Sequence, residues 1–242
     1  MFINIFNKEL NLLNNKLNSI QSSIGNLTNL TYLNLGGNEL TIVPDTIGNL
    51  TNLTYLNLGG NKLTIIPDII GNLTNLTYLN LGSNKLTIVP NTIGNLTNLI
   101  DLQLYGNYLT FIPDSICNLT NLESLQLGFN KLVRLPESIG LFPKLTNFQS
   151  NNNNLICIPN TFEILINRMS YETFTDSHLL YLDDSSYNID NLSTDCQILI
   201  LTDIQNNIIN LTPTLTKLFI TTDININMIK IPFGCEIINL LI

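Results

Sequence analysis

The chain has 242 residues and a mass of 27.1 kDa, enough for one sizeable domain or two small ones. Its net charge is −8 and it holds only 10 Lys+Arg, which argues against nucleic acid and against anionic membrane surfaces, since both reward clustered positive charge. A single histidine removes most zinc, haem and histidine-based catalytic designs.

Taken from its start, Met1 to Asn7 lack the long apolar core of a signal peptide, and no later window approaches 18 uninterrupted apolar residues. Four cysteines, Cys117, Cys157, Cys196 and Cys235, lie about 40 residues apart with no paired spacing, which fits reduced thiols better than a disulfide framework. The expected compartment is therefore the cytoplasm. Ten N-x-S/T sequons arise because the sequence repeatedly spells Asn-Leu-Thr, and no glycan is expected on them. The 40 asparagines and 34 isoleucines follow AT-rich codon usage.

Internal repetition dominates from about Leu10 to Leu165. Asn15, Asn38, Asn61, Asn84, Asn107, Asn130 and Asn153 recur every 23 residues, as do Pro44, Pro67, Pro90, Pro113, Pro136 and Pro159. Leu33 and Leu35 alternate with Tyr32, Asn34 and Gly36, the period of a short strand with one apolar face. Asn38 follows where the chain turns, and its amide is expected to satisfy backbone groups of its own and the adjoining coil. Pro44 fixes φ in a return segment. One such coil buries too few apolar side chains to offset its ordering entropy, so neighbours must stack.

The run Leu30-Thr31-Tyr32-Leu33-Asn34-Leu35-Gly36-Gly37-Asn38-Glu39-Leu40 resembles the L-x-x-L-x-L-x-x-N-x-L signature of leucine-rich repeat proteins. The resemblance implies an α/β-type solenoid, a curved horseshoe with one parallel strand per coil and mostly irregular or 3-10 return segments. In residues 1–26, an N-terminal cap and a degenerate first repeat carry Gln21 in place of proline. Residues 27–165 make six 23-residue repeats, the last with Phe148 and Ser150 at the strand leucine positions.

Beyond a transition or insertion at residues 166–177, a 20-residue period appears over 178–242. His178, Ile198, Leu218 and Ile238 share one phase, and Ile189, Ile209 and Ile229 another, predicting a continuation into shorter 20-residue coils. Asp183, Asp203 and Asp223 recur at the same interval and leave open whether a cation binds there, although Asp is also a common turn residue. The apolar run 237–242 offers a strand edge for a second copy, and hence a homodimer or self-assembling role as the alternative reading.

No Walker loop, HExxH, nucleophile elbow or CxxC pair is present, so neither an enzyme nor a cofactor is expected. Relatives of this family usually bind proteins on the concave strand face. The resemblance therefore implies a non-enzymatic protein-binding scaffold, and the 23-residue type also resembles intracellular Ras-associated relatives, which adds regulation of a small GTPase pathway as a further alternative. The first outward row is Tyr32, Tyr55, Tyr78, Asp101, Ser124 and Asn147, and the second includes Gln103 and Gln126. Later coils vary at Tyr105, Glu123, Phe129 and Lys131, completing the candidate partner-binding set. A second apolar row, Ile42, Ile65, Ile88 and Phe111, precedes inward positions Val43, Ile66, Val89 and Ile112, and partial burial beneath the return loops is expected for it.

Overall fold

The computed structural model describes residues 8–155, 159, 161, 198–201, 209–210, 217–221, 229–230 and 233–240. Three-residue strands alternate with five-residue 3-10 helices. In order they are β1 (Glu9–Asn11), η1 (Ser22–Asn26), β2 (Tyr32–Asn34), η2 (Asp45–Asn49), β3 (Tyr55–Asn57), η3 (Asp68–Asn72) and β4 (Tyr78–Asn80). There follow η4 (Asn91–Asn95), β5 (Asp101–Gln103), η5 (Asp114–Asn118), β6 (Ser124–Gln126), η6 (Glu137–Leu141) and β7 (Asn147–Gln149). Strands β1 to β7 form one parallel sheet in chain order. Leu10 pairs with Leu33, Leu33 with Leu56, and so on to Leu125 with Phe148.

Each return starts at a proline for a conformational reason. Pro44, Pro67, Pro90 and Pro113 hold φ between −68° and −66° and ψ between 143° and 147°, and each caps the helix that follows. The Pro44 carbonyl accepts the Ile47 N–H at 2.9 Å, which closes the first turn. Gln21 adopts φ −75° and ψ 150° at the same position without a ring, so packing imposes there what proline pre-sets elsewhere. Ile47, Ile70, Ile93, Ile116 and Ile139 point inward from these helices and are fully buried against the strand leucines.

Close approach of successive returns explains the glycine that follows Ile47, Ile70 and Ile93. A Cβ on Gly94 would lie 2.3 Å from the Ser115 carbonyl oxygen of the next coil. At the equivalent position the next coil carries Cys117, and η5 and η6 pack less closely than the preceding pairs. The Ser138 hydroxyl bonds the Cys117 sulfur across that wider step. Burial pushes the Cys117 thiol above its ordinary range, opposed by that bond.

The turn asparagines form the expected ladder. The Asn61 side-chain NH₂ donates to its own coil at Leu58 O (2.9 Å) and to the preceding coil at Leu35 O (3.0 Å), while its oxygen accepts Leu40 N–H at 3.0 Å. Asn84, Asn107 and Asn130 repeat the pattern. Asn153 continues it, reaching back to Leu127 O at 2.9 Å and accepting Leu132 N–H at 2.9 Å. The last repeat is therefore packed despite its altered strand: Phe148 and Ser150 are both buried. Ser150 fills a leucine position with a hydroxyl that finds no hydrogen-bond partner.

In the C-terminal part the described strands are β8 (Ile198–Leu201), β9 (Ile209–Asn210), β10 (Lys217–Thr221), β11 (Ile229–Lys230) and β12 (Glu236–Leu240). They form two parallel sheets, β8-β10-β12 and β9-β11. Ile209 pairs with Ile229 at the 20-residue step read from the sequence. In the other sheet the step is 19, so Leu199, Leu218 and Ile237 face one another. The period and the pairing thus differ by one residue there, and a slip of one reverses which face each side chain takes. His178, Asp183, Asp203, Asp223, Ile189 and residues 241–242 lie outside the described residues.

Candidate functional site

Because strand side chains alternate, the same register that buries the leucines lays the candidate residues out in straight rows on the open face of the sheet. Tyr32, Tyr55, Tyr78, Asp101, Ser124 and Asn147 are consecutive partners in the first row. The three tyrosines stack: ring centroids are 4.3 Å apart for Tyr32 and Tyr55, at 13° between planes, and 4.4 Å apart for Tyr55 and Tyr78, at 2°. Burial pushes the Tyr55 and Tyr78 hydroxyls up, and for Tyr55 the flanking tyrosines add to the rise.

Asp101 interrupts the stack. One of its carboxylate oxygens lies 3.4 Å from the Gln103 side-chain nitrogen, while the other is buried and accepts no hydrogen bond. Burial raises its pKa above the ordinary carboxylate value, with the Gln103 and Ser124 side chains opposing. Tyr105, from the same coil, lays its ring over Gly82 of the preceding one, a position only a residue without a side chain leaves open. Tyr78, Asp101, Gln103 and Tyr105 therefore gather in one neighbourhood, and Asp101 and Tyr105 both oppose ionisation of Tyr78.

The second row divides. Asn57 and Asn80 bend back to accept Gly59 N–H at 2.9 Å and Gly82 N–H at 2.8 Å, closing the strand end. Gln103 and Gln126 replace them in the later coils and are half-buried. On one flank Glu123 is exposed just before β6, beside Asn98, Ile100, Asn121 and Lys144. On the other flank the Lys131 ammonium sits 5.0 Å from the Tyr108 ring centroid, a cation–π contact. Glu123 and Lys131 thus belong to opposite margins.

Phe129 is exposed (58%) and takes φ +56°. The preceding coils place Gly37, Gly60, Ser83 and Gly106 at the equivalent position, all with positive φ. A bulky residue in this left-handed region is strained.

Two features escaped the sequence reading. Asn52, Asn75, Asn98 and Asn121 form a second ladder, each donating to the carbonyl oxygen of Thr28, Thr51, Thr74 or Thr97 in the coil before, at 2.8–2.9 Å. The 23-residue spacing of these asparagines was the available signal. The row Ile42, Ile65, Ile88 and Phe111, expected to be partly covered, is instead exposed at 61, 51, 42 and 47%. The neighbouring Val43, Ile66, Val89 and Ile112 take the buried side of the same extended segment, which leaves the preceding residue facing out.

Among the described residues no three His, Cys, Asp or Glu side chains gather in a group suited to a metal ion, and no helix is long and apolar enough to cross a membrane.

A stack of short parallel strands joined by 3-10 returns, with an asparagine ladder at its turns, defines a solenoid of the leucine-rich type. Residues 8–107 match the family model of a leucine-rich repeat region, and residues 98–119 match that of a leucine-rich repeat. Among solved structures, a leucine-rich repeat protein of Leptospira interrogans is 33% identical, with a TM-score of 0.63 over 94% of this chain and 57% of its own. A TDR receptor is 25% identical, with a TM-score of 0.58 over 84% of this chain and 36% of its own. No curated protein sequence matches. Residues 8–119 are thus leucine-rich repeats, and the chain shares the fold of leucine-rich repeat proteins. It spans 57% and 36% of the lengths of the two solved relatives.

Proposed function

We propose that the chain is a non-enzymatic protein-binding scaffold whose partner docks on the open, concave face of the strands, across Tyr78, Asp101, Gln103, Tyr105, Gln126 and Phe129. The observation that carries this is Phe129: a large apolar side chain held exposed in a left-handed backbone conformation that the equivalent positions fill with glycine, serine or asparagine. Strain of this kind persists where the surroundings over-determine it, and it concentrates at binding and switch sites. Exposed aromatics beside amides and an isolated charge also have the make-up of an interface hot spot. Glu123 and Lys131 sit at opposite margins and serve as rim charges that set orientation.

The test uses the repeat's own alternatives, so that the fold is retained. Tyr105→Gly, Gln126→Asn and Phe129→Gly restore the residues found in earlier coils. Affinity enrichment from lysate is compared between the native chain and this triple variant. A partner held by the first and lost by the second supports the concave reading, whereas identical partner sets refute it.

A further inference from the structure

The return segments carry an exposed apolar row that the strand face does not use. Ile42, Ile65, Ile88 and Phe111, one from each of four consecutive coils, are 42–61% exposed. Arg134 takes the equivalent position in the next coil and closes the row. Open cavities enter between the coils along it. One of about 940 Å³ lies at Ile42 and Ile65 and is bounded by Pro44, Pro67 and Asp68. Another of about 650 Å³ lies at Phe111 and Arg134 and is bounded by Pro113, Asp114 and Glu137. A contiguous exposed apolar strip marks a place of interaction.

Charge on this face points to the occupant. Three residues beyond each member of the row stands the first residue of a 3-10 helix: Asp45, Asp68, Asn91, Asp114 and Glu137. The four carboxylates are exposed, and none forms an ion pair within the described residues. Three residues before the row, Lys62 pairs with Glu39 at 2.8 Å and Lys131 lies over the Tyr108 ring. The basic flank is thus largely engaged within the chain, whereas the acidic flank stands open to a basic partner.

Spacing points to the occupant's shape. Just ahead of the row, Lys62 N–H bonds Leu40 O and Lys85 N–H bonds Leu63 O, both at 2.8 Å. Neighbouring coils therefore keep about the 4.8 Å strand separation there. An α-helix laid along the row presents a side chain once per turn, at a pitch of about 5.4 Å. An extended peptide repeats its facing side chains every ~6.7 Å and falls out of step within a coil or two.

We propose that the row of Ile42, Ile65, Ile88 and Phe111 is a second docking surface, which takes an amphipathic helix of a partner protein. The apolar stripe of that helix lies on the row, and its lysines or arginines face Asp45, Asp68 and Asp114. This goes beyond the concave reading and does not depend on it.

The experiment selects binders of the full chain from a displayed library of random 16-residue peptides and measures each by fluorescence anisotropy. Ile65→Arg and the double variant Asp45→Asn with Asp68→Asn borrow the residues of Arg134 and Asn91, which the same fold already accepts. Peptides lost on Ile65→Arg are expected to be basic, to carry apolar residues at helical spacing, and to gain helical circular dichroism when bound. Ile65→Arg should weaken them at least about tenfold, and the aspartate variant about tenfold, a difference that shrinks at high salt. The aspartate variant keeps every apolar side chain in place and carries the test should Ile65→Arg not fold. The triple variant of the concave face should bind these peptides unchanged, so the two surfaces fail separately. Selected peptides that are acidic or lack a helical period, the absence of any peptide sensitive to Ile65→Arg, or equal binding by the aspartate variant would each overturn the proposal. So would a native chain that dimerises where Ile65→Arg stays monomeric, because a second copy would then occupy the row.

Discussion

Replacing Asn84 by alanine tests the physical account of what holds the coils together. Asn84 is 7% exposed. Its oxygen accepts Leu63 N–H at 3.0 Å, and its NH₂ donates to Leu58 O at 3.0 Å, Leu81 O at 3.1 Å and Gly82 O at 3.2 Å. Two hydrogens serve three carbonyls, so the longest bond is shared and adds least. Truncation leaves the Leu63 N–H buried without a partner, at about 1–3 kcal/mol, whereas Leu58 O keeps the Asn61 NH₂ at 2.9 Å and Leu81 O keeps the Asn107 NH₂ at 3.0 Å, so each carbonyl loses only its second bond. With the low end taken for the orphaned N–H and about 0.5 kcal/mol for each of the two lost bonds, Asn84→Ala should destabilise the chain by about 2 kcal/mol.

Asn15 is the internal control, because its side chain is exposed and donates only to Leu13 O at 3.0 Å. Asn15→Ala should cost no more than about 0.5 kcal/mol. Urea unfolding followed by far-UV circular dichroism measures both. Because neighbour contacts carry a solenoid's cooperativity, a cut at the middle of the ladder should also broaden the Asn84→Ala transition or split it. Equal shifts for the two variants, or a cost below about 1 kcal/mol for Asn84→Ala, would show that water or backbone relaxation replaces the amide, and the ladder argument would fall.

Three further outcomes follow from the same geometry. Ile66 is 2% exposed and Ile65 is 51% exposed, so Ile66→Ala should cost about 2–4 kcal/mol and Ile65→Ala less than about 1, as read by denaturant midpoints. The folded-state pKa of Asp101 is raised by burial, so the stability this group contributes is present below the unfolded value of about 3.9 and is lost as pH climbs through the raised folded value. Asp101→Asn should therefore melt higher than the native chain at pH 7, with the difference vanishing in acid, as a pH series of thermal scans would reveal. Phe129 pays for its left-handed backbone, so Phe129→Gly should stabilise the chain by up to about 1 kcal/mol while weakening partner capture, a combination that calorimetry and enrichment together can contradict.

The periodic residues announced the repeating part of the fold because each one answers a local demand that recurs unchanged in every coil. Leucine at alternate strand positions, asparagine at the turn, proline before the 3-10 helix and glycine at the tight step between returns are each dictated by a backbone conformation or a contact one coil away. The candidate rows were legible for the same reason: a 23-residue period together with strand alternation places Tyr32, Tyr55, Tyr78 and Asp101 side by side.

The tertiary structure decided whatever depends on how far a side chain reaches rather than on which row it occupies. Periodicity gives the tyrosines one row but not their 4.3–4.4 Å stacking, and it does not disclose that Asp101 keeps an unpartnered oxygen. It also left the side taken by Ile42, Ile65, Ile88 and Phe111 to the detailed path of the return, which turns them toward solvent. The pairing step of 19 between β8, β10 and β12 was hidden behind a 20-residue period, because β9 and β11 keep that period while the neighbouring sheet drops one residue. Composition and spacing thus specify a solenoid of identical coils, and close packing between coils determines where those coils cease to be equivalent.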